Sequence, residues 1–168
     1  LDGFPAIKVV VRTDADRSKV AVISGGGAGH EPAHVGFVAE GLLTAAVCGE
    51  IFASPSVDAV LAAIIAVTGP AGALLVVKNY TGDVMNFEMA AELAASTGLA
   101  VETVVVGDDV ATADARNPRG LAGTLFVHKV AGHFASAGAP LAEVKATADR
   151  VARSVVTIGL SLSTAEIP

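Results

Sequence analysis

A short β-branched run, Val20-Ala21-Val22-Ile23, passes directly into Ser24-Gly25-Gly26-Gly27-Ala28-Gly29-His30-Glu31-Pro32. This stretch limits what the chain can fold into. An apolar run of that length reads as a strand buried on both faces, which belongs in a parallel sheet. Four glycines in the next positions leave the backbone bare where a strand hands over to the next element. Glycine admits positive φ and lets another group approach main-chain N–H groups closely. Pro32 suits a first helical turn, so residues 32–40 are expected to form a helix ended by Gly41. A helix N-terminus beside bare backbone favours a partly negative ligand atom, and His30 sits there as the chemical group.

The rest of the chain repeats the alternation of buried strand and helix. Strands are expected at 20–23, 42–47, 73–77 and 101–106, with an edge strand at 7–12 and a final strand or its approach at 155–162. Ser54 and Pro55 read as N-cap and first position of a helix carrying Val57, Val60, Leu61, Ile64 and Ile65 on one face. Further helices are expected at 86–97, with Gly98 closing it, at 121–136 and at 141–153. Strands alternating with helices give an α/β fold: an open, mostly parallel sheet with helices on both faces, a three-layer sandwich. The chain has no internal repeat or low-complexity linker, so residues 1–168 read as a single domain.

Composition narrows the function. The chain is 52% hydrophobic and 17% charged, enough apolar residue to build a core across 168 positions. A net charge of -6 with few aromatics argues against nucleic-acid binding. The longest apolar run is too short to span a bilayer. One cysteine allows no internal disulfide and fits a reducing, cytoplasmic compartment. No charged-then-apolar leader is visible, and both ends, Leu1 and Ile167-Pro168, read as cut.

In a parallel sheet the loops after the strands share one edge, where ligands bind. Three such loops carry polar residues: the glycine stretch with His30, the segment from Lys78 to Asp83, and Asp108-Asp109. An aspartate able to accept a proton and an imidazole able to hydrogen-bond a polarised oxygen would hold and activate a hydroxyl. Plainer roles stand beside these. Asp83 could be a turn residue or the cap of the helix beginning near Asn86, and the residues alone favour the cap; Lys78 reads as a strand end reaching solvent. His34, His128 and His133 read as surface or helix-edge residues, and Cys48 as an inert buried thiol. Glu50 is undecided.

Three familiar motifs fail. His30-Glu31-Pro32-Ala33-His34 spells a zinc-helix motif, but that motif needs both histidines on one helical face and Pro32 lies between them. No metal site is expected. The dinucleotide glycine fingerprint is out of register, and no Gly-Lys-Ser/Thr follows the glycines.

Several segments, in order, resemble the substrate-binding K domain of the dihydroxyacetone kinases: SGGGAGHEP at 24–32, GLLTAAVCGEIFASP at 41–55, KNYTGDVMNF at 78–87, and Asp108-Asp109-Val110-Ala111. The resemblance implies that Gly26, Gly27, Ala28, Gly29, His30, Lys78 and Asp83 line a site for dihydroxyacetone or a similar short ketose. Asp83 would be the general base on the hydroxyl that receives phosphate, assisted by His30. It implies an N-terminal lobe of a longer K subunit, a homodimer, and no cofactor on this chain. ATP, or ADP, with Mg would sit on a separate DhaL-type nucleotide-binding domain or subunit. The family also holds its ketone covalently on a second histidine in a Gly-rich segment, and neither His128 nor His133 has that context. A non-catalytic ketose-binding or regulatory module of the same fold is the alternative.

Overall fold

The computed structural model describes residues 3, 5–111 and 117–163. The reading of the two chain ends as cut lies outside them. The element order is β1 (Val9–Val11), β2 (Ala21–Ala28), β3 (Ala45–Ile51), α1 (Val57–Val67), β4 (Ala73–Lys78), α2 (Thr81–Ser96), β5 (Val101–Val106), α3 (Thr124–Ser136) and α4 (Leu141–Ser154). The five strands form one sheet in the order β1-β3-β2-β4-β5. Only the edge strand β1 is antiparallel, pairing Val9 with Val47 and Val11 with Ala45.

Side-chain alternation along the strands sorts the core into two layers. Ala21, Ile23, Val47, Ala73, Leu75 and Val77 pack against α1 and α2. Val20, Val22, Ala46, Leu74, Val76 and Val104 pack against α3 and α4. The central strands β2 and β4 therefore have no solvent face, and the molecule is the three-layer α/β sandwich expected. The chain leaves β2 toward β3 on one side and leaves β4 toward β5 on the other. The rim between the ends of β2 and β4 is thus the crevice where open α/β sheets bind ligands.

Several local expectations are corrected. β2 does not stop at Ile23 but runs through the glycines to Ala28, with Gly25 opposite Val47 and Gly26 opposite Cys48. Of the glycines in this stretch only Gly29 has positive φ, at 99°. Gly25 and Gly27 serve close approach: a Cβ on Gly25 would meet the Val47 carbonyl oxygen, and one on Gly27 would lie 2.8 Å from the Ala53 backbone nitrogen. Residues 32–40 form a single 3-10 turn, Val35–Phe37, and no α-helix. Gly36 in the middle and alternating apolar positions at Val35 and Phe37 give no helical face to bury. Ser56, not Ser54, caps α1, accepting from the Ala59 amide at 3.2 Å. α2 begins at Thr81, five residues before the expected start, so Asp83 lies in its first turn. Residues 155–162 form no strand beyond one bridge between Thr157 and Asp109.

The Asp108-Asp109 loop is a structural clasp. Asp108 is 1% exposed and accepts from the amides of Leu121 at 2.6 Å and Gly123 at 2.8 Å. It thereby fastens the entry to α3 onto the end of β5. Asp109 accepts from the Arg119 guanidinium at 2.7 and 2.9 Å and from the Ala111 amide at 2.9 Å. Asp108→Ala strands two donors, one buried and one part-buried, and is expected to cost about 2–3 kcal/mol, read as a lower urea midpoint with an unchanged m-value.

Candidate active site

The site lies at the crevice between β2 and β4, and its floor is Gly26. A Cβ placed there would stand 3.6 Å from Asp83 Oδ2 and 3.6 Å from Lys78 Nζ. The missing side chain leaves the space that these two groups face. Lys78 ends β4 and Asp83 lies in the first turn of α2, so a short connection brings the ammonium and the carboxylate together. Lys78 does not run out to solvent. It is 9% exposed, and Gly120 packs over it so closely that a Cβ there would lie 2.7 Å from the Lys78 Cβ.

Lys78 Nζ lies 3.3 Å from His30 Nε2. An ammonium only donates, so Nε2 accepts and the ring proton sits on Nδ1. His30 Nδ1 has no partner among the described residues. The Tyr80 ring stands 5.5 Å from the same ammonium. Asp83 is 4% exposed, and its Oδ1 also lacks a partner among the described residues. Burial holds its carboxyl above the usual carboxylate range; the Ser54 hydroxyl, Lys78 and His30 oppose that shift. Burial likewise holds Lys78 below the usual lysine range, opposed by Asp83 and Asp108.

Two cavities meet at the His30–Lys78 pair. One, of about 190 Å³, is lined by Gly27, His30, Phe52, Ser54, Lys78, Tyr80 and Asp83. The other, of about 510 Å³, is more apolar and extends past His34 and His128 toward Leu121 and Leu125. The smaller one unites an acceptor, a donor and a cation in a volume suited to a few heavy atoms. Phe52 sits at its mouth with φ 53°, a strained conformation for an aromatic residue, and its ring packs over Gly29.

Of the residues read from sequence, Gly26, Gly27, His30, Lys78 and Asp83 come together here. Ala28 and Gly29 lie at the strand end outside the cavity lining. The Ala28 carbonyl accepts from Phe52 N–H at 2.9 Å, and the Gly29 amide donates to Glu31 at 3.1 Å. Ser54 was missed as a site residue because its place before Pro55 reads as the N-cap of α1. Ser56 takes the cap, and Gly82 leaves room for Ser54 beside Asp83. His34 and His128 are not surface residues: they are 5% and 1% exposed and in contact. A lone histidine in sequence carries no sign of a buried partner 94 positions away. His133 is exposed as expected. Cys48 is half-buried, with its thiol pushed up by burial, and Glu50 pairs with Lys8 at the surface. His30 and His34 do not share a helix, and no cluster of metal-ligating side chains occurs among the described residues.

The family model described as the Dak1 domain matches residues 3–168. The chain belongs to the Dak1 domain family. It is 58% identical over 168 residues to a dihydroxyacetone kinase of Citrobacter freundii, covering 100% of this chain and 30% of that protein. It is 51% identical over 164 residues to a Listeria innocua protein named PTS-dependent dihydroxyacetone kinase 1, dihydroxyacetone-binding subunit DhaK. That match covers 96% of this chain and 50% of the relative. The crystal structure of the C. freundii kinase in its native form superposes with a TM-score of 0.88 at 61% identity, covering 89% of this chain and 28% of that one. The dihydroxyacetone kinase operon co-activator Dha-DhaQ superposes with a TM-score of 0.80 at 36% identity, covering 87% of this chain and 45% of that one. The chain thus spans half or less of the length of these relatives. No described helix is long and apolar enough to cross a membrane.

Asp83 generates a stability prediction. Between its ordinary value and its raised one the folded state binds more protons than the unfolded, so stability falls as pH rises through that window. Asp83→Asn removes the buried charge at constant shape. It is expected to raise Tm at pH 7 by about 2–4 °C, the size that roughly 1 kcal/mol gives in a domain of this length. The gain should vanish in calorimetry below the unfolded carboxyl range.

Proposed function

We propose that this chain is the N-terminal substrate-binding lobe of a dihydroxyacetone kinase K subunit, a phosphotransferase component that binds a short ketose and presents its hydroxyl for phosphorylation. The observation that carries the reading is the convergence of Asp83, Lys78 and His30 over the bare Gly26 floor at the sheet crevice. Gly27 in the cavity lining and Gly26 beside Asp83 and Lys78 are the backbone part of the proposed site, with Ser54 added from the lining.

Asp83 is the proposed general base. A carboxylate raised by burial is a stronger proton acceptor than one in water, and Asp83, which lines the smaller cavity, is the group to receive the hydroxyl proton. Ser54 orients the carboxylate. The His30 Nδ1–H and the Lys78 ammonium are donors for the ketose oxygens, and Lys78 offsets the charge that grows on the attacking oxygen. The names of the relatives support dihydroxyacetone as substrate. The phosphoryl group comes, in this reading, from ATP, or from ADP rephosphorylated on the partner, with Mg on a DhaL-type domain or subunit. The protein is then a cytoplasmic homodimer serving glycerol metabolism, and the isolated lobe is inactive.

The 61% identity to the C. freundii kinase favours this reading, and a second one, a regulatory ketose-binding module, rests on the likeness to a co-activator at 36% identity. Ketose binding without turnover in the full-length protein with its nucleotide-binding partner would select it. On the kinase reading, His30→Ala and Asp83→Ala lower turnover of dihydroxyacetone by about 10²–10⁴-fold; full turnover in both variants refutes the assignment. Gly26→Ala adds a Cβ in ordinary contact with Lys78 and Asp83, 3.5–3.6 Å away, and fills the floor. The expected result is an unchanged Tm with ketose binding lost in titration calorimetry.

A further inference from the structure

His30 belongs to a segment with little regular structure to hold it. After β2 ends at Ala28, the chain makes one 3-10 turn, Val35–Phe37, before β3 begins at Ala45. The segment is anchored from inside. The His34 side chain enters the core between the sheet and α3, and its Nδ1 lies 3.0 Å from His128 Nε2. The same Nδ1 is 3.5 Å from Ser24 Oγ on β2, and that hydroxyl donates to the Val76 carbonyl on β4 at 2.6 Å. His34 therefore ties the His30 segment to β2, β4 and α3 at one point.

The rings form a continuous series. His30 and His34 meet edge to face with centroids 5.9 Å apart, His34 and His128 at 5.2 Å, and Phe37 returns to His128 at 6.2 Å. Both ends of that series, His30 and Phe37, lie in the same segment, so His128 is gripped by it at two points. One proton is shared between two facing nitrogens, which suits two neutral imidazoles. Burial pushes His34 down to about 2 and His128 down to about 3, with Lys78 adding to both shifts. Neither ring touches the smaller cavity where the ketose is placed, so their effect on chemistry passes through His30.

We infer that His34 and His128 are positioning residues, a neutral imidazole pair that fixes the His30 ring against Lys78 and the ketose. The inference rests on the kinase reading. Displacement of a reacting group by about 1 Å costs on the order of 10²-fold in rate, and loss of the clasp frees the segment by such a distance.

The test uses the full-length protein with its nucleotide-binding partner. A glutamine amide stands close to where imidazole Nε2 stands, whereas phenylalanine fills the volume without a polar atom. His128→Phe is expected to lower kcat about 100-fold with a small change in KM, and His128→Gln to restore most of it. The His30 ring resonances should move in His128→Phe and return in His128→Gln, a signal that needs no turnover. Equal kcat in the two variants, or an unmoved His30 signal, overturns the inference. If His128→Phe does not fold, His128→Asn takes its place, since its shorter amide falls short of His34. Asparagine matching glutamine then refutes the pair's role. Absent ketose turnover in the wild-type protein marks failure of the kinase reading instead, and the His30 signal still decides the clasp.

Discussion

A carboxylate, an ammonium and an imidazole are held together largely out of water above a strand that offers no side chain. That desolvation is the constraint on which the site depends. Asp83 at 4% and Lys78 at 9% exposure each resist being charged there, and each is the other's partial remedy. A buried charge is tolerated only where a partner and hydrogen bonds offset its lost hydration. Ser54 and His30 supply part of that offset, and Asp83 Oδ1 and His30 Nδ1, without partners among the described residues, leave it incomplete. Incomplete pairing is the usual condition of a site kept ready for a ligand.

The sheet makes this arrangement possible in space. β2 is covered on both faces, so the crevice at its end is rigid and water is kept from two sides. Bare backbone at Gly25 and Gly27 lets β3, Phe87 and the segment around Ala53 close onto the strand. The tight fit that excludes side chains from the strand is what brings Ser54 from one element and Asp83 from another into one cavity. The Asp108 clasp and the His34–His128 pair do the same work for α3, tying the outer layer to the rim.

Much of this was legible in the chain itself. The apolar runs at Val20-Ala21-Val22-Ile23 and Leu74-Leu75-Val76-Val77 announced strands without a wet face, and the alternation with helices announced the sandwich. The glycine stretch, His30, Lys78 and Asp83 stood out because they follow such strands. Boundaries were less legible. Thr81 and Gly82 are poor helix formers, yet α2 starts there because tertiary packing, with Gly82 close against Ser54, outweighs propensity. Pro32 suited a helix that Gly36 and the inward turn of His34 prevent.

The sequence by itself determined the fold class and the rim on which the polar residues meet, because periodicity and glycine placement are local properties. Only the tertiary structure decided which polar residues share a cavity and which are clasps. Asp83 and Asp108 look alike in the chain, each a carboxylate soon after a buried strand. Packing leaves Asp83 Oδ1 without a partner among the described residues and gives both Asp108 oxygens a backbone amide. His34 and His128 lie 94 positions apart, and no local pattern carries a contact at that distance. Burial and pairing are set by neighbours far away in sequence, so the chemistry of these side chains exists only once the layers have closed.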